Sequence, residues 1–280
     1  MTMTSLSDNV RIMGTDVRPN LLGTIRRPLT WVGLRAFVPA LILLAWWGLS
    51  LTPKGQLFVA TPVDAFAQAY DDFVFDKLAS DLLPSLTRAL EGLALATVLG
   101  VGVGIALGSN RYLMALFQPL IHLGRSLPTP ALLGIFFFLF GTGDAPKIFL
   151  IAFSVVWPIL FNTIDGVHGI GAVRLQAAKV FRIGARDRLF GIVLPGAAPK
   201  IMAGIRTAMS LSLIIMIISE LQKSVNGLGF LLVQSQRNFD YSGFWGVLIV
   251  LAVLGVFLNL VFTVIERRVL AWHRGATQHD

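Results

Sequence analysis

The sequence predicts an all-α, polytopic membrane protein with about six transmembrane helices. Three observations lead there. Hydrophobic residues make up 55% of the 280-residue chain, charged residues only 14%, and mean hydropathy is +0.74; a soluble domain carries about a quarter charged residues. The apolar residues gather into runs close to the roughly 20 residues needed to cross a hydrocarbon core. The basic residues flank these runs. That placement rejects a nucleic-acid partner despite a pI near 10.4, because the cations form no soluble domain or binding motif. Cysteine is absent, and with it any disulfide framework, thiolate metal site or cysteine nucleophile.

The elements follow in order. Residues 1–30 read as a polar tail, ending near Arg26 and Arg27. The first span is 37–51. It runs into Leu51-Thr52-Pro53-Lys54 without a small-residue cleavage motif, so it is read as an uncleaved helix rather than a signal peptide. Thr61-Pro62-Val63-Asp64 has the form of a capped helix start, opening a short amphipathic helix placed on the outer membrane surface. The second span is 85–108. The third, 112–140, is broken by Pro128 and Pro130. The fourth is 148–167, the fifth 201–219 and the sixth 244–265. The spans form one domain, 31–273, with a large basic loop at 167–200 and a tail at 274–280.

Lys and Arg placement sets the expected orientation. One side holds Arg11, Arg18, Arg26, Arg27, Arg35, Arg111, Arg174, Lys179, Arg182, Arg186, Arg188, Lys200, Arg206, Arg267, Arg268 and Arg274. The other holds Lys54, Lys77, Lys147, Lys223 and Arg237. Sixteen against five puts both termini and the basic loop in the cytoplasm.

Catalytic motifs are missing. No G-x-x-x-x-G-K-[ST] loop is present, so the chain does not itself hold ATP in that way. Gly100-Val101-Gly102-Val103-Gly104 lies inside a span, where Gly92, Ala96, Gly100, Gly104 and Gly108 recur every four residues as a smooth stripe for helix packing. The four histidines have no metal-ligand spacing. A charge within a span costs about 2.5–3.5 kcal/mol and needs a partner or a wet face. Arg88 and Glu91, three apart, are expected to pair. Arg125 precedes the proline break, where it either bonds freed carbonyls or faces a pathway. Glu220 shares a helical face with Ser212, Met216 and Ser219. That face reads as a polar lining of a translocation path, with an outer-interface position for Glu220 as the alternative.

In the basic loop, Val173, Ala177, Val180, Phe181 and Gly184 fall at helical spacing. Arg174, Lys179, Arg182 and Arg186 occupy the rest. Such a helix lies either at the lipid interface or in a groove of a cytoplasmic partner. The small pair Ala177-Ala178 favours the groove. Leu194-Pro195 is expected to end the helix and Pro199 to delay the fifth span, giving a stiff lever between two spans.

The loop resembles the EAA loop of binding-protein-dependent ABC importer permeases. Gln176-Ala177-Ala178 matches its start and Ile192-Val193-Leu194-Pro195 its end. Gln176 replaces the usual acid, and Arg182 stands where glycine is common, with Gly184 two residues later. Further segments resemble the nitrate/sulfonate/taurine branch: Ser85-Leu86-Thr87-Arg88, Gly141-Thr142-Gly143 with Lys147-Ile148, Asn226-Gly227-Leu228-Gly229-Phe230, and 266–273.

The resemblance implies a type I importer permease fold in the bacterial inner membrane, with a second permease copy and two cytoplasmic ATPase subunits. ATP and Mg would be bound by those subunits and no cofactor by this chain. An extracytoplasmic substrate-binding protein would deliver an oxyanion or organic anion. A secondary transporter is the main alternative, but internal repeats and intramembrane carboxylates are too few. A membrane enzyme would need a nucleophile–base or metal cluster that the sequence lacks.

Overall fold

The computed structural model describes residues 37–272, which form helices and no strands; the predicted tails 1–30 and 274–280 lie outside the described residues. Helix α1 (Phe37–Ser50) is apolar and exposed nearly all round. Near its end Trp46 stacks on Trp245 at 5.0 Å and donates its indole N–H to the Ala60 carbonyl. Thr61 then caps α2 (Pro62–Asp71): its hydroxyl accepts from the Asp64 N–H and donates to the Asp64 carboxylate at 2.6 Å. The short helix therefore starts where the capping residues put it. It is not simply laid on a surface, because Ala65 and Ala69 are buried and pack close to Gly246.

Two π-helical turns lead into α3 (Leu83–Ser109). Asn110 caps α4 (Arg111–Ser126), which meets α5 (Thr129–Phe140) at an angle of 98°. Pro128 and Pro130 stand at that break, as their missing N–H groups require. Helix α6 (Ala145–His168) is followed by α7 (Ala172–Val180), a one-turn helix Ala185–Arg188 and a π-helical turn. Then come α8 (Leu194–Glu220), α9 (Leu228–Arg237) and α10 (Tyr241–Val269). Among the described residues, four helices are long and apolar enough to cross a membrane, and counting each bent pair as one span gives up to six.

The core sits where α6 is gripped between α3 and α8. On the α3 side, a Cβ added to Gly92, Gly100, Gly104 or Gly108 would lie within 2.6–2.9 Å of Ile151, Ile159, Thr163 and Val167. The small-residue stripe is therefore the surface on which α6 packs, and the backbones approach because nothing projects between them. On the α8 side, Gly204 lets the backbone close on Asn162 and Pro158.

One expectation is reversed at the loop. Pro195 lies in the first turn of α8, directly after the π-helical turn 189–193 that runs into it, and α8 continues through Pro199. Leu194-Pro195 thus opens a helix instead of ending one. Together with the turns before it, helical structure runs from Ala185 to Glu220, 36 residues or about 54 Å. The break in the loop lies earlier, at 181–184.

Candidate functional site

The basic loop is built on α7. Leu175 and the buried Ala178 turn inward, Leu175 against Val167, Ile170, Val193 and Ala197. Val173, Val180 and Phe181 turn outward and are 77%, 78% and 77% exposed. Arg174, Gln176, Ala177, Lys179, Arg182 and Arg186 are exposed as well. This short helix thus keeps three large apolar side chains in the open, ringed by cations.

The end of α7 shows why glycine is common at the position that Arg182 occupies. Arg182 donates its N–H to the Lys179 carbonyl and Ile183 to the Ala178 carbonyl, and Arg182 has φ +53°. That is a Schellman ending, whose left-handed residue is usually glycine. Gly184 and Asp187 follow in the next turn. Beside α7 lies a hollow of about 410 Å³, lined in part by Ala177, Ala178, Phe181, Ile192, Pro195 and Trp272. Trp272 falls in the segment 266–273 that carries part of the resemblance, but the sequence suggested no place for it at the loop. It reaches the loop from the far end of the chain because α10 returns alongside α8.

At the opposite end of the bundle the structure assembles a buried polar node. Arg88, 3% exposed in its side chain, donates through Nε to Asp144 at 2.7 Å and through Nη1 to Glu220 at 2.6 Å. Its Nη2 donates to the Asn226 side-chain oxygen at 2.6 Å. The Glu220 carboxylate also accepts from the Ser85 hydroxyl at 2.8 Å and the Gly229 N–H at 3.0 Å. Lys147 donates to Ser224 at 2.7 Å, and Asp81 accepts the Gly227 N–H at 2.8 Å. Gly227 has φ +113°, and a Cβ there would meet the Glu220 carboxylate at 2.5 Å. The Asn226-Gly227-Leu228-Gly229 motif is a cradle for one carboxylate.

This overturns the expected Arg88–Glu91 pair. Glu91 is exposed on another face of α3, and Arg88 finds its acids on α8 and at the start of α6. The proposed polar lining is also displaced. Ser212, Met216, Ser219 and Glu220 are buried within the subunit, and the two serine hydroxyls donate to the carbonyls of Met209 and Met216 on their own helix. Of the six candidate path residues, Arg125 alone is exposed. Its guanidinium lies over the Phe161 ring at 5.2 Å.

Residues 96–271 match the family described as binding-protein-dependent transport system inner membrane component. The chain belongs to that family. It is 28% identical over 240 residues to the taurine transport system permease protein of Escherichia coli (strain K12), covering 84% of this chain and 87% of the relative. It is 32% identical over 189 residues to the bicarbonate transport system permease protein of Synechococcus elongatus, covering 67% and 68%. Among solved structures, a chain of the inward-facing MetNI methionine ABC transporter shares the fold. Its TM-score is 0.61 at 17% identity, over 68% of this chain and 94% of that one. As an inner-membrane component of this family, the chain is the transmembrane subunit of an ABC importer with the type I permease fold, working with an ATPase and a binding protein.

Proposed function

We propose that the chain pairs with a second permease copy to form the pathway for a small oxyanion or organic anion. A binding protein outside would deliver the anion, and two cytoplasmic ATPase subunits would drive its passage. The observation that carries this reading is the α7 face. Val173, Val180 and Phe181 are open, the cations surround them, and the inward side is fixed to α8. A face of that kind, on a chain without a nucleotide-binding loop, fits a groove in a separate motor. The distribution of Lys and Arg supports a cytoplasmic position for it.

The anionic cargo rests on the relatives, which carry taurine and bicarbonate by name. The exposed, intramembrane Arg125 is in keeping with it. Arg125 is the candidate contact on the path. Arg88 and Glu220 are not, because each is saturated by partners within the subunit.

Detergent extraction of the tagged chain should bring down an ATPase subunit of separate sequence. Its absence under conditions that preserve uptake would overturn the reading in favour of a secondary transporter. Calorimetry on the partner binding protein, across sulfonates, nitrate, bicarbonate and neutral pyrimidines, should find an anion. A neutral ligand alone would remove the anion assignment and leave the importer standing.

A further inference from the structure

We propose that the Arg88–Glu220 node is the fixed end of the lever, a positioning device that converts movement of the basic loop into a tilt of α3, α6 and α8 as one block. The inference rests on the importer reading above and adds residues to it. Helical structure runs unbroken from Ala185, just beyond the docking face, to Glu220. Across the break at 181–184, Leu175 of α7 packs on Val193 and Ala197 of this run, so whatever displaces α7 bears on a rod whose far end carries the Glu220 carboxylate.

That end is held from several directions. Arg88 and Ser85 bind it from α3, and Gly229 from the start of α9. The same guanidinium binds Asp144 ahead of α6 and Asn226 in the following loop. Three helices that are far apart in sequence thus share one side chain. Gly227 and Gly229 bring the backbone so close to Glu220 that a Cβ on either would lie 2.5–2.6 Å from it, so the carboxylate has no room to shift.

Stability alone is a weak reason for this arrangement. Burying an ion pair carries a desolvation penalty that well-packed apolar residues avoid, whereas its directional bonds fix geometry. A lever needs such an end. If α8 could slide along α3 at Glu220, part of any stroke delivered at α7 would be lost as slip between helices.

The test uses the whole transporter in vesicles with its ATPase and binding protein, measuring uptake and ATP hydrolysis in the same preparation. Glu220→Gln should keep the ATPase docked and hydrolysing while uptake per ATP falls about tenfold, the scale on which residues in a coupling network act. Ser85→Ala and Asn226→Ala, which keep both charges, should lower the same ratio by about threefold and give the answer if Glu220→Gln does not assemble. Lower protein abundance with an unchanged ratio in every assembled variant would make the node merely structural and overturn the proposal. Wild-type uptake that consumes no ATP would overturn the importer reading itself, and the anchor with it.

Discussion

Gly227 shows how much of the node depends on a single missing atom. Its φ of +113° suits glycine, and any side chain would enter the Glu220 carboxylate. Gly227→Ala should therefore destabilise the folded subunit by about 3 kcal/mol. The measurement is the thermal unfolding midpoint of the purified protein in detergent. Gly102→Ala is the matching control, since nothing lies within 4 Å of its added Cβ, and it should leave the midpoint unchanged or slightly higher. Arg182 gives the converse case. It holds a left-handed conformation that L-residues adopt at a penalty of about 1 kcal/mol, so Arg182→Gly should raise the midpoint. A drop would mean that its guanidinium, rather than its backbone, matters to the fold. The sequence marked Arg182 as standing where glycine is common, but neither the left-handed turn behind that preference nor the purpose of Gly227 was legible in it. Arg88 was expected to pair with Glu91, the nearest acid, but its partner stands 132 residues away. Local spacing carries no information about a contact of that separation, and the glycines of 226–229 could be quoted as a motif without their purpose being visible.

At the scale of elements, legibility was greater because hydropathy and periodicity are local properties. The apolar runs became helices close to their expected limits, and the stripe from Gly92 to Gly108 became the contact between α3 and α6. Gly104→Leu should therefore prevent α3 from closing on Thr163. Overpacking a tight core costs about 1–3 kcal/mol, and backbone contact adds to it; membrane-inserted but aggregated protein on size exclusion is the expected outcome. The loop was read less well. A proline after an apolar run marks either the end of one helix or the first turn of the next, and only packing on α6 decides in favour of the second. The two faces of α7 can be separated by experiment. Val180→Asp and Phe181→Asp change exposed side chains, so they should abolish co-purification of the ATPase while the subunit keeps its unfolding midpoint. Ala178→Asp places a charge at a site 1% exposed and should lower the midpoint first. Loss of docking without destabilisation in Ala178→Asp would reverse the assignment of the two faces.

At the scale of the whole molecule, the fold sets two features apart along the length of α8. The open face of α7 and Trp272 lie at one end, and the charged node lies at the other, joined by about 54 Å of helix. On the proposed reading such a plan has a direction, with the motor at the loop end and the cargo arriving at the node end. The direction can be tested cleanly, since the chain has no cysteine of its own. Single cysteines at Phe181 and at Phe239, both exposed, stand toward the loop end and the node end respectively. In spheroplasts, a membrane-impermeant maleimide should label Phe239→Cys at once and Phe181→Cys only after the membrane is opened. Immediate labelling of Phe181→Cys would put the docking face on the side that receives cargo. The lever would then have no motor to grip it, and neither the coupling role of α7 nor the anchoring role of Glu220 would survive.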